Sequence, residues 1–484
     1  STGAFTTIAG TNVTFSGTLG VTGITSLVDL GITGELNMDG SAGTSGQYLQ
    51  SQGDGNTPAW DTLSLNDLSD VLVENSSVFV GNHTDQDPSG TASYNVAVGD
   101  NALDAITDGD NNTAVGYDAL TELTEGIGNI AIGYQALDSV TTSDYAIAIG
   151  HGAGAAITTT DTKGIYIGVS AGAAVTTGTE NILIGYQAGD AITNGAENVV
   201  IGNQALSTED GGGKNVVIGH GAGQSQNAGT NTHSTLVGYN AGTSITSGLR
   251  NTLIGSLTGD ALTTGEHNIA IGYAALGAED VYGHCVAIGY QALMSQNADA
   301  DTYNVAVGYD AGRAVTTGVN NTLIGGNAGG SLTTGGASVA VGYNALSNED
   351  GHGYNTAVGY RALTAQNAGA HGYNVAVGSD AGLAISTGDN NVLVGNASGQ
   401  ATTVGVDNVF VGSGAGYTNV DGSKSVAVGY RSLYLQEPSG ATDCYNIGVG
   451  YTAGTNISTG IKNISIGSDG AATLTTGSNN ITIG

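Results

Sequence analysis

Proline is almost missing from this 484-residue chain, with three, and cysteine is rarer still, with two. Lys and Arg together number eight against 41 Asp and Glu, and there is one Trp. Each scarcity excludes something. Three prolines beside 83 glycines rule out a collagen-like helix, which needs abundant proline and glycine at every third place. Two cysteines cannot staple a secreted disulfide scaffold. A formal net charge of −33 repels phosphate backbones and anionic lipid heads, so nucleic acid and membrane surfaces are poor partners. No apolar run is long enough to span a bilayer, and none has the form of a signal peptide.

What is present is a repeat. The pentapeptide Asn-apolar-x-apolar-Gly, as in Asn95–Gly99, Asn112–Gly116 and Asn129–Gly133, returns twenty-four times between Ser77 and Gly484. Of the twenty-three intervals between closing glycines, seventeen are seventeen residues long and six are longer. A short fixed period describes stacked supersecondary units that bury apolar faces against their neighbours. The expected fold is therefore all-β: a parallel β-solenoid, or β-roll, of about 24 coils over residues 76–484. Residues 1–75 lack the repeat, and their short Thr, Val and Gly alternations suggest a slender β-rich attachment segment. Cys285 and Cys444 lie nine repeats apart. At about 4.8 Å per strand that is roughly 40 Å, too far to pair within one chain.

Strand side chains alternate, so Val96 and Val98 share one face and Ala97 takes the other. The expectation is that the outer pair lines the coil and the middle residue points out. That middle row, including Ala97, Ala131, Leu183, Leu253, Leu323 and Phe410, is almost wholly apolar. A strand apolar on both faces is buried on both. These six residues are therefore expected at a subunit contact, most simply in a parallel homotrimer whose ring closes. Asn opens seventeen of the twenty-four pentapeptides, which suits a structural amide ladder and turn former more than a binding stripe.

A second period of seventy lies on the first: Asn-x-Leu-apolar-Gly falls at 181–185, 251–255, 321–325 and 391–395. Every fourth coil carries a longer loop, at 223–233, 293–303, 363–373 and 433–445. Any receptor contact is expected there, with Tyr303, Tyr373 and Tyr445 as aromatic candidates; scars of block duplication are the plainer alternative. Glu209-Asp210, Glu279-Asp280 and Glu349-Asp350 keep the same beat. They are read as solvated turn charges, with weak cation sites as the alternative. No metal site or cofactor is expected beyond loosely bound divalent cations. No nucleophile stands beside a base, no phosphate-binding glycine loop opens a helix, and the chain is expected not to be an enzyme.

The repeats Ser338–Gly342 and Ser425–Gly429 resemble the head repeats of trimeric autotransporter adhesins. Asn129–Tyr134 followed by Gln135-Ala-Leu137 is closer to repeats in tail-fibre and other structural proteins of marine tailed phages of the cyanophage type. Gly43–Gly53 and Leu65–Val71 are similar to linkers in such fibres. The resemblance implies a trimeric virion fibre that contacts a host-surface glycan or protein. A bacterial cell-surface or extracellular filament is the alternative. The period is longer than the adhesin head's, and the adhesin's coiled-coil stalk and anchor are not among these residues. The apolar top of a last coil ending at Gly484 is expected to be covered, by a tip domain or by head-to-tail docking into a longer fibre.

Overall fold

The computed structural model describes residues 71–81, 91–158, 160, 162–367 and 369–484, with the backbone of four short strands before them. The chain falls into two units, Ser1–Ser69 and Asp70–Gly484. In the first, Asn37–Met38 pairs antiparallel with Ser41–Ala42, and Gln47–Gln50 with Ala59–Thr62. The other segments expected to be strands or linkers there, including 11–17, 20–25 and 65–70, lie outside the described residues.

The second unit is the solenoid, and it begins a few residues earlier than the repeat does. Val71–Glu74 turns back on Ser77–Val80 as an antiparallel hairpin, and Val78, Phe79 and Val80 then pair in parallel with Val96, Ala97 and Val98. From there each three-residue strand pairs in parallel with the next, always in the register of the repeat, to Ile481–Ile483. The ladder is open: the hairpin strand pairs only with its neighbour, and Ile481–Ile483 only with Ile464–Ile466. Among the described residues there is no helix.

The closing glycine explains why each strand stops after three residues. Gly99 has φ +134, and a Cβ there would meet the carbonyl oxygen of Gly116 in the next coil at 2.6 Å. That backbone conformation is strained for a residue with a side chain, and no room exists for one. The chain then bends, turns Ala102, Leu103 and Ile106 inward, and returns to the next Asn. Asn129 shows how the coils lock. Its N–H donates to Asn112 Oδ1 at 2.9 Å, its Nδ2 to Ser143 O at 2.7 Å, and its Oδ1 accepts from Ala146 N at 2.9 Å. The Asn row is thus an internal ladder, buried from Asn95 to Asn463, as a structural role requires.

The strand faces are the reverse of the sequence expectation. Ala97, Ala131, Leu183, Leu253, Leu323 and Phe410 are all fully buried inside their own coil, while Val96 and Val98 are 41% and 40% exposed. The middle position varies in size because it fills its own chain's interior, and its partner lies six residues on. Ala97, Ala114 and Ala131 stand with Leu103, Leu120 and Leu137; Tyr166, Leu183, Leu253 and Phe410 stand with Gly172, Gly189, Gly259 and Gly416. A Cβ on Gly416 would meet Phe410 Cε2 at 2.4 Å, and one on Gly172 would meet Tyr166 Cδ1 at 2.5 Å. In these pairs large opposes small, which keeps the coil filled; where both are small, as at Ala306 and Gly312, Leu293 and Leu323 of the neighbouring coils reach in.

Candidate interaction surface

Turning the strands over moves the outward apolar row without removing it. The twenty-four parallel strands present 48 outward positions, of which 43 are Val or Ile and five are Thr. Ile132, Ile149, Ile254, Ile269, Ile324 and Ile466 are each more than a third exposed. Parallel pairing in constant register aligns these side chains in two continuous files on one face of the solenoid. By the estimate of about 4.8 Å per strand, the face runs for about 110 Å. Contiguous apolar patches on monomers rarely exceed a few hundred Å², and larger ones mark interaction surfaces.

Aromatic files border the strip on both sides. The residue after the closing glycine is often Tyr or His, and these rings stack from coil to coil. Tyr117 lies 5.5 Å from Tyr134 and Tyr134 lies 5.0 Å from His151. Tyr273, Tyr290 and Tyr309 form a second run at 5.4 and 5.2 Å. The opposite border is the residue just before each Asn, held at positive φ. The three tyrosines expected on long loops belong here. Tyr303, Tyr373 and Tyr445 have φ near +50° and are about half exposed. They also meet other rings on this edge, Tyr303 tilted against His284 at 5.1 Å and Tyr373 stacked on Tyr354 at 5.3 Å. Tyr445 donates to Asp443 Oδ2 at 3.1 Å, and Lys424 Nζ lies 5.6 Å from its ring. They therefore border the strip as members of a file on that edge.

The seventy-residue beat has an interior meaning that the sequence reading missed. Seven residues after the closing glycine the repeat usually places an aliphatic side chain, as at Ile106, Leu123 and Val140. Every fourth coil places Glu209, Glu279, Glu349 or Asn419 there, and the coil above places Gln226, Gln296, Gln366 or Gln436. All eight are fully buried, so the three glutamates are not solvated turn charges; Asp210 and Asp350 are exposed and Asp280 partly so. Gln296 Nε2 donates to Glu279 Oε2 at 3.1 Å, Gln226 Nε2 to Glu209 Oε2 at 3.4 Å, and Gln436 Nε2 to Asn419 Oδ1 at 2.9 Å. Counting seven from each glycine would have found them.

Burial raises the Glu279 carboxyl above the ordinary carboxylate range and lifts Glu349 further, to about 7. The thiols of Cys285 and Cys444 are likewise pushed up by burial, and both are free. Cys285 Sγ is 2.7 Å from Thr302 Oγ1, inside the Glu279–Gln296 network.

No family model matches the chain, and no curated protein is detectably similar to it. The geometry defines its class by itself: a β-solenoid repeat protein with a period of about seventeen.

Proposed function

We propose that this chain is a non-enzymatic structural fibre protein, a parallel homotrimeric rod of a phage virion that carries a host-adhesion surface. One observation carries the reading: an outward strip of Val and Ile, with five Thr in one of its two files, as long as the solenoid. Such a strip is stable in water only when covered, and the simplest cover of equal length and matching register is another copy of the same chain. Three copies about a rotation axis along the rod give every strip a partner and leave the anionic loops outside. A rod of charge −33 per chain stays dispersed and does not adhere to nucleic acid. Stacked tyrosines on the strip's borders present rows of ring edges and hydroxyls suited to hydrogen bonding a host glycan. The phage assignment rests on the resemblance of Asn129–Tyr134 and its neighbours to tail-fibre repeats.

The test is assembly. The chain has a mass of 47.6 kDa, so light scattering on the purified protein should return three times that value. Replacing outward Ile254 and Ile324 together by Asp should give monomers that retain their β circular dichroism. A monomeric wild type, or a double variant of unchanged mass, would remove the trimer. Electron microscopy with an antibody to the chain, applied to purified virions, tests the fibre assignment: labelled tail appendages support it and an unlabelled virion does not.

A further inference from the structure

One oxygen of the buried Glu349 carboxylate has no hydrogen-bond partner. In two of the three buried Glu–Gln pairs, the Gln amide bonds the Glu oxygen that faces it. In the third pair the bond is missing on both sides: Glu349 Oε2 and Gln366 Nε2 are buried and neither has a hydrogen-bond partner. Glu349 Oε1 is used locally, accepting from the His352 backbone N–H at 3.1 Å. This is also the only one of the three turns with an imidazole three residues after the glutamate. His352 stands where the other turns have Gly212 and Tyr282. Its Nδ1 is buried and unpartnered as well.

We propose that Glu349, Asp350 and His352 form a binding site for a divalent transition-metal ion, best matched by Zn²⁺. One oxygen of each carboxylate and one ring nitrogen lie within 4.8 Å of one another. Glu349 Oε2 and His352 Nδ1 are both buried and make no hydrogen bond, to each other or to any other group. An ion with bonds of about 2.0–2.2 Å to nitrogen and oxygen draws such atoms together by small rotations of the side chains. Two carboxylates and an imidazole are a donor set for zinc and its neighbours, with open positions left to water. Calcium asks for six to eight oxygens, which this turn does not supply. The ion would also neutralise a carboxylate that is otherwise buried without compensation. The site rests on its own geometry and is independent of the fibre reading.

Neighbouring groups fit this account. Gly353 N donates to His371 Nδ1 at 3.4 Å, and the His371 ring meets His352 edge-on with centroids 6.1 Å apart. A bound ion would therefore sit beside the aromatic file that includes Tyr354 and Tyr373.

The experiment is calorimetric titration of the full chain with Zn²⁺, in physiological salt with excess Mg²⁺ to occupy loose anionic sites. Wild type should take up about one Zn²⁺ per chain, and His352→Asn and Asp350→Asn should each weaken uptake roughly tenfold or more. Both residues reach the surface, so these variants keep the fold, which circular dichroism verifies. Glu349→Gln should abolish uptake. Excess Ca²⁺ should not displace the ion. Absence of saturable uptake, uptake unchanged in His352→Asn and Asp350→Asn, or displacement by Ca²⁺ would each overturn the assignment.

Discussion

At the scale of single residues, the interior is a volume argument written in pairs six residues apart. Phe410 occupies space that Gly416 leaves, and Tyr166 the space at Gly172. Removing the ring in Phe410→Ala should cost about 3–5 kcal/mol, and Gly416→Ala should be destabilising through overpacking against that ring, added to the strain of a side chain at φ +57. In the Phe410→Ala background the added methyl should be better tolerated. A double-mutant cycle on thermal unfolding midpoints checks this coupling, and additive effects would show the two sites to be independent. A second residue-scale expectation concerns pH. Burial raises the folded-state pKa of Glu279 above its unfolded value, so the folded state binds the proton more tightly. Its charged form therefore lowers stability above the folded pKa, and that penalty is relieved as pH falls toward the unfolded pKa. The fall in unfolding midpoint between mildly acid and mildly alkaline buffer should be smaller in Glu279→Gln than in wild type. An equal slope in both would mean that Glu279 is not held in a raised state.

At the scale of the element, a three-residue strand has little stability of its own, and the Asn ladder supplies what it lacks. Asn129 ties its coil to both neighbours through its own backbone N–H and amide group, in fully buried surroundings. Asn129→Ala leaves the Ala146 N–H and the Ser143 carbonyl without these bonds. Buried orphans of this kind cost about 1–3 kcal/mol each. Because each coil touches only its neighbours, the loss should stay local. Hydrogen exchange should speed up at Ile130, Ala146 and nearby amides and remain slow beyond Leu183. Uniform acceleration along the rod would contradict a ladder of nearest-neighbour links. The pentapeptide made the strands, their parallel order and this ladder readable, since period and residue type alone set them. The buried Glu–Gln pairs were equally present in the spacing, seven residues from the closing glycine. They passed for turn charges because an ionisable residue is ordinarily an exterior one.

At the scale of the whole molecule, the solenoid is a one-dimensional stack with a four-coil unit. Deleting residues 251–320 removes one such unit and rejoins equivalent positions, Arg250 to Asn321. The rod should shorten by about 19 Å, keep its β signature and still assemble. Small-angle scattering or electron microscopy reads the length. A deletion of similar size out of step with the period should unfold the junction, because it places polar turn residues at interior positions. If the two deletions behaved alike, the seventy-residue block would have no structural standing.

The sequence alone determined that this chain is a repeat, that its strands are parallel and in register, that Asn and Gly hold fixed places, and that two faces of each strand are apolar. These follow from period, from alternation and from the conformations open to glycine, all local in the chain. Which face is inside was decided only by the tertiary structure. Val96, Ala97 and Val98 are all apolar, so hydrophobicity does not tell one side from the other. The answer lies in the match between the middle residue and the residue six further on, which is visible only when the coil's circumference closes and the two compete for one volume. The orphaned Glu349 oxygen and His352 nitrogen are likewise tertiary facts. They depend on whether Gln366 in the coil above reaches down, and no spacing within one turn sets that.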